Sequence, residues 1–279
     1  MKITRQDVLA HQNIAPWPQP AQVEQDLLLS LAMAAIFRDE FLRQHLAMRG
    51  GTVLHKVHLA PPARYSEDID LVLVSDAPPD SLGKSIRSAL MDILGKPRKS
   101  VWEDAVLTVR NWTQASKILR LTFAVPSVTV PGRDLLIKVE INISENRPFR
   151  PPVEREFTST FRGESRQESV MSFDFEEMLG TKLRALFQRR QGRDLFDLYW
   201  ALFGPSRPPS ETGQIIAAFR HYMRQEGASV TREDFVSELD SRLSDAGFCS
   251  DMEALLRSDL TYDPQLAGRM VKSGLLVNL

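Results

Sequence analysis

The sequence predicts a mixed α+β fold, with a sheet and flanking helices in residues 1–165 and a helical domain in residues 166–279. Runs rich in β-branched residues with strand-like alternation occur in the first half, whereas apolar residues at helical spacing dominate from Phe173 onward. A chain of 279 residues with 43% hydrophobic and 25% charged residues is typical of a soluble globular protein, and it has room for two domains.

Helical patterns begin the chain. Thr4 is a favourable N-cap for a short helix over residues 5–12, which is followed by a proline-rich connector. Apolar residues recur at helical spacing through residues 22–46, so one long helix is predicted there, ending before Gly50. A further short helix is predicted over residues 52–58.

Strand-like runs occupy the middle of the chain. The run at residues 68–74 predicts a buried strand, and a covering helix is predicted over residues 81–94. Further strands are predicted at residues 101–110, 117–125 and 134–143, with turns at 111–116 and 126–133 and short extended pieces near 156–162. Helices are then predicted at residues 174–190, 193–203, 212–225, 231–241, 250–257 and 263–273.

The composition argues against several classes of protein. A net charge of −1 disfavours nucleic-acid binding over the whole surface, although it permits a local basic patch. Cys249 is the single cysteine, so no intrachain disulfide can form and a reducing cytoplasm is the expected location. The sequence contains no stretch of about 18 uninterrupted apolar residues, so no membrane span is expected.

Two acidic residues stand at the start of the predicted strand at residues 68–74. Side chains alternate along a strand, so Asp68 and Asp70 lie on one face, about 7 Å apart along the chain. Carboxylates this close repel each other unless a cation lies between them, and Mg²⁺ prefers such oxygen ligands. Upstream, Gly50, Gly51 and Thr52 form a turn whose backbone can approach phosphates closely.

The predicted strand at residues 134–143 contains a third candidate carboxylate, Glu140. Alternation places Lys138, Glu140 and Asn142 on the face opposite its apolar residues. If this strand neighbours the strand of Asp68, Glu140 can join the same metal site. The alternative is a half-exposed strand whose charges face water.

Lys182 is unusual within the helix predicted at residues 174–190. It falls inside the apolar stripe, between Leu179 and Leu186. A buried lysine needs a counter-charge, and a phosphate would supply one. The alternative is a lysine at the edge of the stripe that extends its ammonium group to water.

Acidic and basic residues also surround the next predicted helix. Asp194 either acts as an N-cap, which is a common role for aspartate, or takes part in the chemistry. Cations are concentrated nearby, at Lys182, Arg184, Arg189, Arg190 and Arg193. Such a run is usually a solvated helix face, but beside a phosphate site it would suit a polynucleotide.

Four motifs together resemble the AbiEii family of nucleotidyltransferase-like toxins. They are GGT at residues 50–52, RYSEDID at 64–70, EMLGTKLRAL at 177–186 and RDLFDL at 193–198. The resemblance implies a minimal nucleotidyltransferase sheet with a C-terminal helical domain, and an active site in the cleft between them. It also implies transfer of a nucleotide from an NTP to a tRNA 3′ end, and a separately encoded antitoxin as partner.

The resemblance further implies a role for each motif residue. Asp68 and Asp70 would hold two Mg²⁺ ions, with Glu140 as a further ligand. Ser66 and Lys182 would contact phosphates.

Asp194 matches the acid of the family's second domain, which serves as a base or orients the lysine. Two alternatives to this function stay open. One is an inactive relative that binds a nucleotide or a partner protein. The other is a metal-dependent nuclease that uses the same carboxylates, although it leaves the glycine pair and Lys182 unexplained.

Overall fold

The computed structural model of the chain describes residues 2–109 and 112–279, and describes side chains outside residues 105–115. The chain divides into two compact units. The first comprises Met1–Ala105 with Ala115–Phe173, and the second comprises Val106–Gln114 with Asp174–Leu279. No helix in the described ranges is long and apolar enough to cross a membrane.

A mixed sheet contains the seven strands of the described residues. In chain order they are β1 Leu46–Arg49, β2 Asp68–Leu73, β3 Lys99–Val109, β4 Trp112–Pro126, β5 Asp134–Asn142, β6 Val153–Phe161 and β7 Glu164–Ser172. Their order in the sheet is β3-β4-β5-β2-β1-β7-β6. Strand β2 runs parallel to β5 and antiparallel to β1. The strand with the two aspartates is therefore central, as its apolar residues require.

Helices flank the sheet in the first unit. They are α1 Arg5–His11, α2 Pro20–Arg38, α3 Glu40–His45, α4 Gly50–Val53 and α5 Pro79–Leu94, and α4 continues as a π-helical turn, Leu54–His58. Thr4 caps α1 as predicted, because its hydroxyl accepts a hydrogen bond from the Asp7 backbone. Helix α2 packs against α5 and against strands β5 and β7, so it is buried on most of its surface.

The helix predicted over residues 22–46 is present as two helices, α2 and α3, and the prediction misses the break between them. The helix breaks at Asp39, whose carboxylate accepts a hydrogen bond from Leu42 N at 3.0 Å and so begins α3. Leu46–Arg49 then form β1 instead of a helical turn. A run of three apolar residues fits either periodicity, and here pairing with β2 and β7 makes it a strand.

The middle strands are confirmed with shifted boundaries: β3 begins two residues earlier than predicted, β4 is longer at both ends, and β5 ends one residue earlier. The segment at residues 112–116 is part of β4 and not a turn, because pairing with the neighbouring strand β3 outweighs its polar residues. The predicted strand end at Arg110 and turn start at Asn111 lie outside the described residues. The short extended pieces near residues 156–162 belong to a hairpin of nine-residue strands, β6 and β7.

Apart from the strand residues 106–109 and 112–114, the second unit is built from helices over its described residues. They are α6 Phe175–Gln188, α7 Gly192–Phe203, α8 Thr212–Gln225, α9 Arg232–Leu243, α10 Ala246–Ser250 and α11 Pro264–Gly274. The predicted helix at residues 250–257 is wrong, because Asp245 caps a shorter helix upstream that ends at Ser250. Helix α6 packs on α7 and α8. A Cβ at Gly180 would lie 2.6 Å from that of Ala218, so this glycine permits the close approach of α6 and α8.

Candidate active site

The two aspartates of β2 share one face of the central sheet with Glu140. In the pairing of β2 with β5, Asp68 lies opposite Lys138 and Asp70 lies opposite Glu140. Paired residues in neighbouring strands point to the same face, so Asp68, Asp70 and Glu140 share one face. The strand of Glu140 is thus a direct neighbour of the strand of the two aspartates, which is the condition for Glu140 to join the same site.

Glu140 is engaged by an arginine. Its Oε1 accepts a hydrogen bond from Arg120 Nε at 2.6 Å, and the same guanidinium also pairs with Glu103. Among the described residues, no group of three or more histidine, cysteine, aspartate or glutamate side chains is assembled that could hold a metal ion. Glu140 is adjacent to the aspartate pair in the sheet, but its carboxylate is directed to Arg120.

Asp68 is an electrostatically unfavourable carboxylate. Burial raises its pKa to about 6, with Asp70, Glu67 and Glu140 adding to the rise and Lys138 opposing it. Lys138 Nζ is 3.7 Å from Asp68 Oδ1, which is beyond hydrogen-bonding distance. This buried oxygen has no hydrogen-bond partner in the described part of the chain. A divalent cation would satisfy the oxygen and the excess negative charge together.

The diglycine turn lies directly against these residues. Gly50 has φ +84°, a conformation that favours glycine, and a Cβ there would overlap Asp70 Oδ2. A Cβ at Gly51 would overlap Arg64 Nη2 and lie 2.9 Å from Ser66 Oγ. Both positions therefore need glycine, because the backbone passes close to a carboxylate and to a serine hydroxyl.

Thr52 connects the turn to the serine. Its fully buried hydroxyl lies 2.5 Å from the carbonyl oxygen of Asp68 and 3.0 Å from Ser66 Oγ. The hydroxyl of Thr52 therefore serves to join the diglycine turn to Ser66 and to the start of β2.

Arg64 is a residue of this site to which the sequence patterns assigned no role. It is buried, its Nη1 donates to the carbonyl of Tyr65 at 2.9 Å, and its guanidinium packs against Gly51. Its position two residues before Ser66 is the sequence feature that could have indicated a role for Arg64 at this site.

Lys182 lies in the second unit, within α6. Its ammonium group is buried, 2.7 Å from Asp197 Oδ2 and 3.3 Å from Asp194 Oδ1. The alternative of a lysine that extends to water is therefore wrong, because two aspartates of α7 provide its counter-charge inside the protein.

Asp194 is not the N-cap of α7, since the helix begins at Gly192 and Gln191 occupies the cap position. Its buried Oδ1 also accepts a hydrogen bond from Arg189 Nη2 at 3.0 Å. Its Oδ2 has no hydrogen-bond partner within the described ranges. The sequence shows Asp197 as a second acidic residue in an apolar helix, but its pattern alone predicts no role for it.

The predicted basic patch does not form a single solvated surface. Arg184 is buried, paired with Glu226 at 2.8 Å, and stacked over the ring of Tyr222, so its inclusion was wrong. Arg193 pairs with Asp251 at 3.3 Å and is partly buried. Arg189 and Arg190 are exposed.

Comparison with known proteins agrees with the fold and the motifs. The profile described as nucleotidyl transferase AbiEii toxin, type IV toxin–antitoxin system, matches residues 31–267. The fold is similar to that of MenT4, a nucleotidyltransferase toxin from Mycobacterium tuberculosis H37Rv. The TM-score is 0.62 and the identity 15%, over 100% of this chain and 91% of MenT4. No curated protein matches the chain. With most of its length matched by the profile, the chain belongs to the AbiEii family of nucleotidyltransferase toxins of type IV toxin–antitoxin systems.

Proposed function

We propose that the protein transfers a nucleotide from an NTP to the 3′ end of a tRNA, in a magnesium-dependent reaction in the cytoplasm, and that a cognate antitoxin opposes it. One observation carries this proposal. The aspartate pair of β2 lies directly against a diglycine turn and a serine, so groups suited to a metal and groups suited to phosphates share one place.

Asp68 and Asp70 are the residues that would hold magnesium. The unsatisfied Oδ1 of Asp68 and its raised pKa support this assignment, because both features are relieved by a cation. Glu140 would become a further ligand after its carboxylate leaves Arg120. When bound, the ions lower the pKa of the acceptor hydroxyl and neutralise the leaving pyrophosphate.

The protein's own groups would bind and orient the triphosphate. The backbone amides of Gly50, Gly51 and Thr52 and the hydroxyl of Ser66 are the proposed donors to its phosphate oxygens. The acceptor 3′ oxygen bonds to the α-phosphorus, the bond from that phosphorus to pyrophosphate breaks, and the hydroxyl proton passes to water.

Lys182 would offset the negative charge that develops on the phosphates, and Asp194 would orient its ammonium group. Arg189 and Arg190 are the exposed cations of the earlier patch that we propose for contact with tRNA.

Incubation with total tRNA, magnesium and each labelled NTP in turn tests the proposal. We expect one or more NTPs to label and lengthen the tRNA, with release of pyrophosphate. Shortened RNA would instead identify a nuclease. Binding of NTP without release of pyrophosphate would identify an inactive relative.

A further inference from the structure

A buried charged cluster is centred on a residue of α2 that precedes the range matched by the family profile. Asp26 is its centre and is 1% exposed. His11 Nε2 lies 2.7 Å and Lys56 Nζ 2.6 Å from Asp26 Oδ1, while Trp17 Nε1 donates to Oδ2 at 3.1 Å. These partners come from α1, from the connector before α2, and from the π-helical turn after the diglycine.

The first link joins Asp26 to the diglycine segment. Lys56 lies four residues after Thr52, in the helical stretch that starts at Gly50. Its ammonium group also donates to Ser30 Oγ at 2.9 Å, so α2 holds it through two side chains. Bonds to a buried carboxylate are charge-assisted and therefore among the stronger ones in the unit.

The second link joins the same place on α2 to the loop that contains Ser66. The Trp17 indole, fixed by Asp26, packs edge-on against Tyr65 with ring centroids 5.9 Å apart. Gln25, the neighbour of Asp26, donates from Nε2 to the carbonyl of Glu67 at 3.0 Å. The residues on both sides of Ser66 are thereby attached to α2.

We propose that Asp26 is a positioning residue for the nucleotide site, because it holds Gly50–His58 and residues 64–67 in the arrangement that directs the diglycine backbone and Ser66 to the same phosphates. The inference rests on the proposed function. Two separately mobile segments would have to be ordered at the moment of binding, and fixing them beforehand removes that cost. A buried ion pair is seldom more stabilising than apolar residues of the same volume would be, so positioning accounts better for the burial of these charges.

The chain contains a matched control on the same helix. Glu24 is buried two residues away, and its carboxylate accepts hydrogen bonds from Ser127 Oγ and Val128 N at 2.8 Å and from Thr129 N at 3.0 Å. It fastens a different loop. Asp26→Asn and Glu24→Gln each remove one buried charge from α2, but only the first removes a link to the proposed nucleotide site.

Two measurements on the full-length protein separate positioning from general stability. The first is calorimetric titration with each of the four NTPs in magnesium. We expect Asp26→Asn to weaken NTP binding about tenfold, and Glu24→Gln to bind like the wild type. The second is amide hydrogen exchange, which should accelerate in residues 50–58 and 64–67 in Asp26→Asn but not in Glu24→Gln.

Lys56→Met provides a second route if Asp26→Asn fails to fold. It removes one link from a partly accessible side chain, and it should also weaken NTP binding and accelerate exchange in residues 50–58. Wild-type affinity and exchange in the folded variants would overturn the positioning role. Failure of the wild type to bind any of the four NTPs would overturn the proposed function itself.

Discussion

Lys182 Nζ lies 2.7 Å from Asp197 Oδ2, and both groups are buried in the second unit. Asp194 completes the arrangement at 3.3 Å and is itself held by Arg189. A lysine side chain has four rotatable bonds, and two buried partners fix its position. The cluster therefore gives Lys182 a defined location, which a group proposed to act on phosphates requires.

Removal of Asp197 should destabilise the protein. Asp197→Ala leaves the buried ammonium group with one carboxylate that it shares with Arg189, so we expect the free energy of unfolding to fall by about 3 kcal/mol. Urea denaturation measures this change. Asp240→Ala is the matched control, because Asp240 pairs with Lys272 at 2.6 Å on the surface of the same unit. Its loss should cost less than about 1 kcal/mol. Equal costs for the two variants would contradict the account of the buried cluster.

Gly50 should not tolerate even alanine. The new Cβ would overlap Asp70 Oδ2 and would also impose a side chain on a residue with φ +84°. We expect loss of nucleotide transfer together with destabilisation of several kcal/mol. Gly132→Ala separates the two causes, since Gly132 has φ +79° but no atom within 4 Å of its Cβ position. That control should lose only about 1 kcal/mol and keep its activity.

Asp68→Asn should stabilise the metal-free protein while abolishing transfer. The folded-state pKa of about 6 exceeds the ordinary value of 3.8, so the ionised carboxylate disfavours folding. The contribution of the Asp68 carboxyl group to the free energy of unfolding is most favourable below pH ~4. It declines as the pH rises to about 6 and stays low above that pH. At neutral pH we expect a gain of roughly 1–2 kcal/mol from the neutral amide.

Magnesium provides the complementary measurement for Asp68. Thermal melting with and without the ion should show stabilisation of the wild type and little change in Asp68→Asn. Equal stabilisation of both proteins by magnesium would remove Asp68 from the metal site.

Asp26 should confer stability that acid removes. Burial alone raises its pKa, but Lys56 and His11 outweigh this effect and hold the pKa at about 2. Since the folded-state pKa lies below the ordinary value, the stabilisation is complete above pH ~4 and is lost as the pH falls toward about 2. The difference in unfolding free energy between the wild type and Asp26→Asn should therefore narrow by about 2 kcal/mol over that interval. Urea denaturation at stepped pH measures it, and a constant difference would contradict the assignment.

The strands of the site could be predicted because their patterns are local. Alternation at residues 134–143 placed Glu140 on one face, and the buried run after Asp70 indicated a central strand. Strand β1 could not be predicted, since its four residues continue a helical pattern and become a strand only through pairing with β2 and β7.

The other features that could not be predicted depend on partners that are distant in sequence. Lys182 was recognisable as a charge within an apolar stripe, but its pairing with Asp197 depends on how α6 and α7 pack. Arg184 was expected in a solvated basic run, but it is buried and forms an ion pair with Glu226, which lies 42 residues further along the chain. The role of Asp26 could not be predicted from a local pattern, because its partners come from three separate segments of the chain.

Transfer of the label from an α-phosphate-labelled NTP to the 3′ end of tRNA should be compared between the wild type and Asp70→Ala. We expect a labelled tRNA one or more nucleotides longer with the wild type, and none with a folded Asp70→Ala variant. Labelling by Asp70→Ala at the wild-type rate would contradict this expectation.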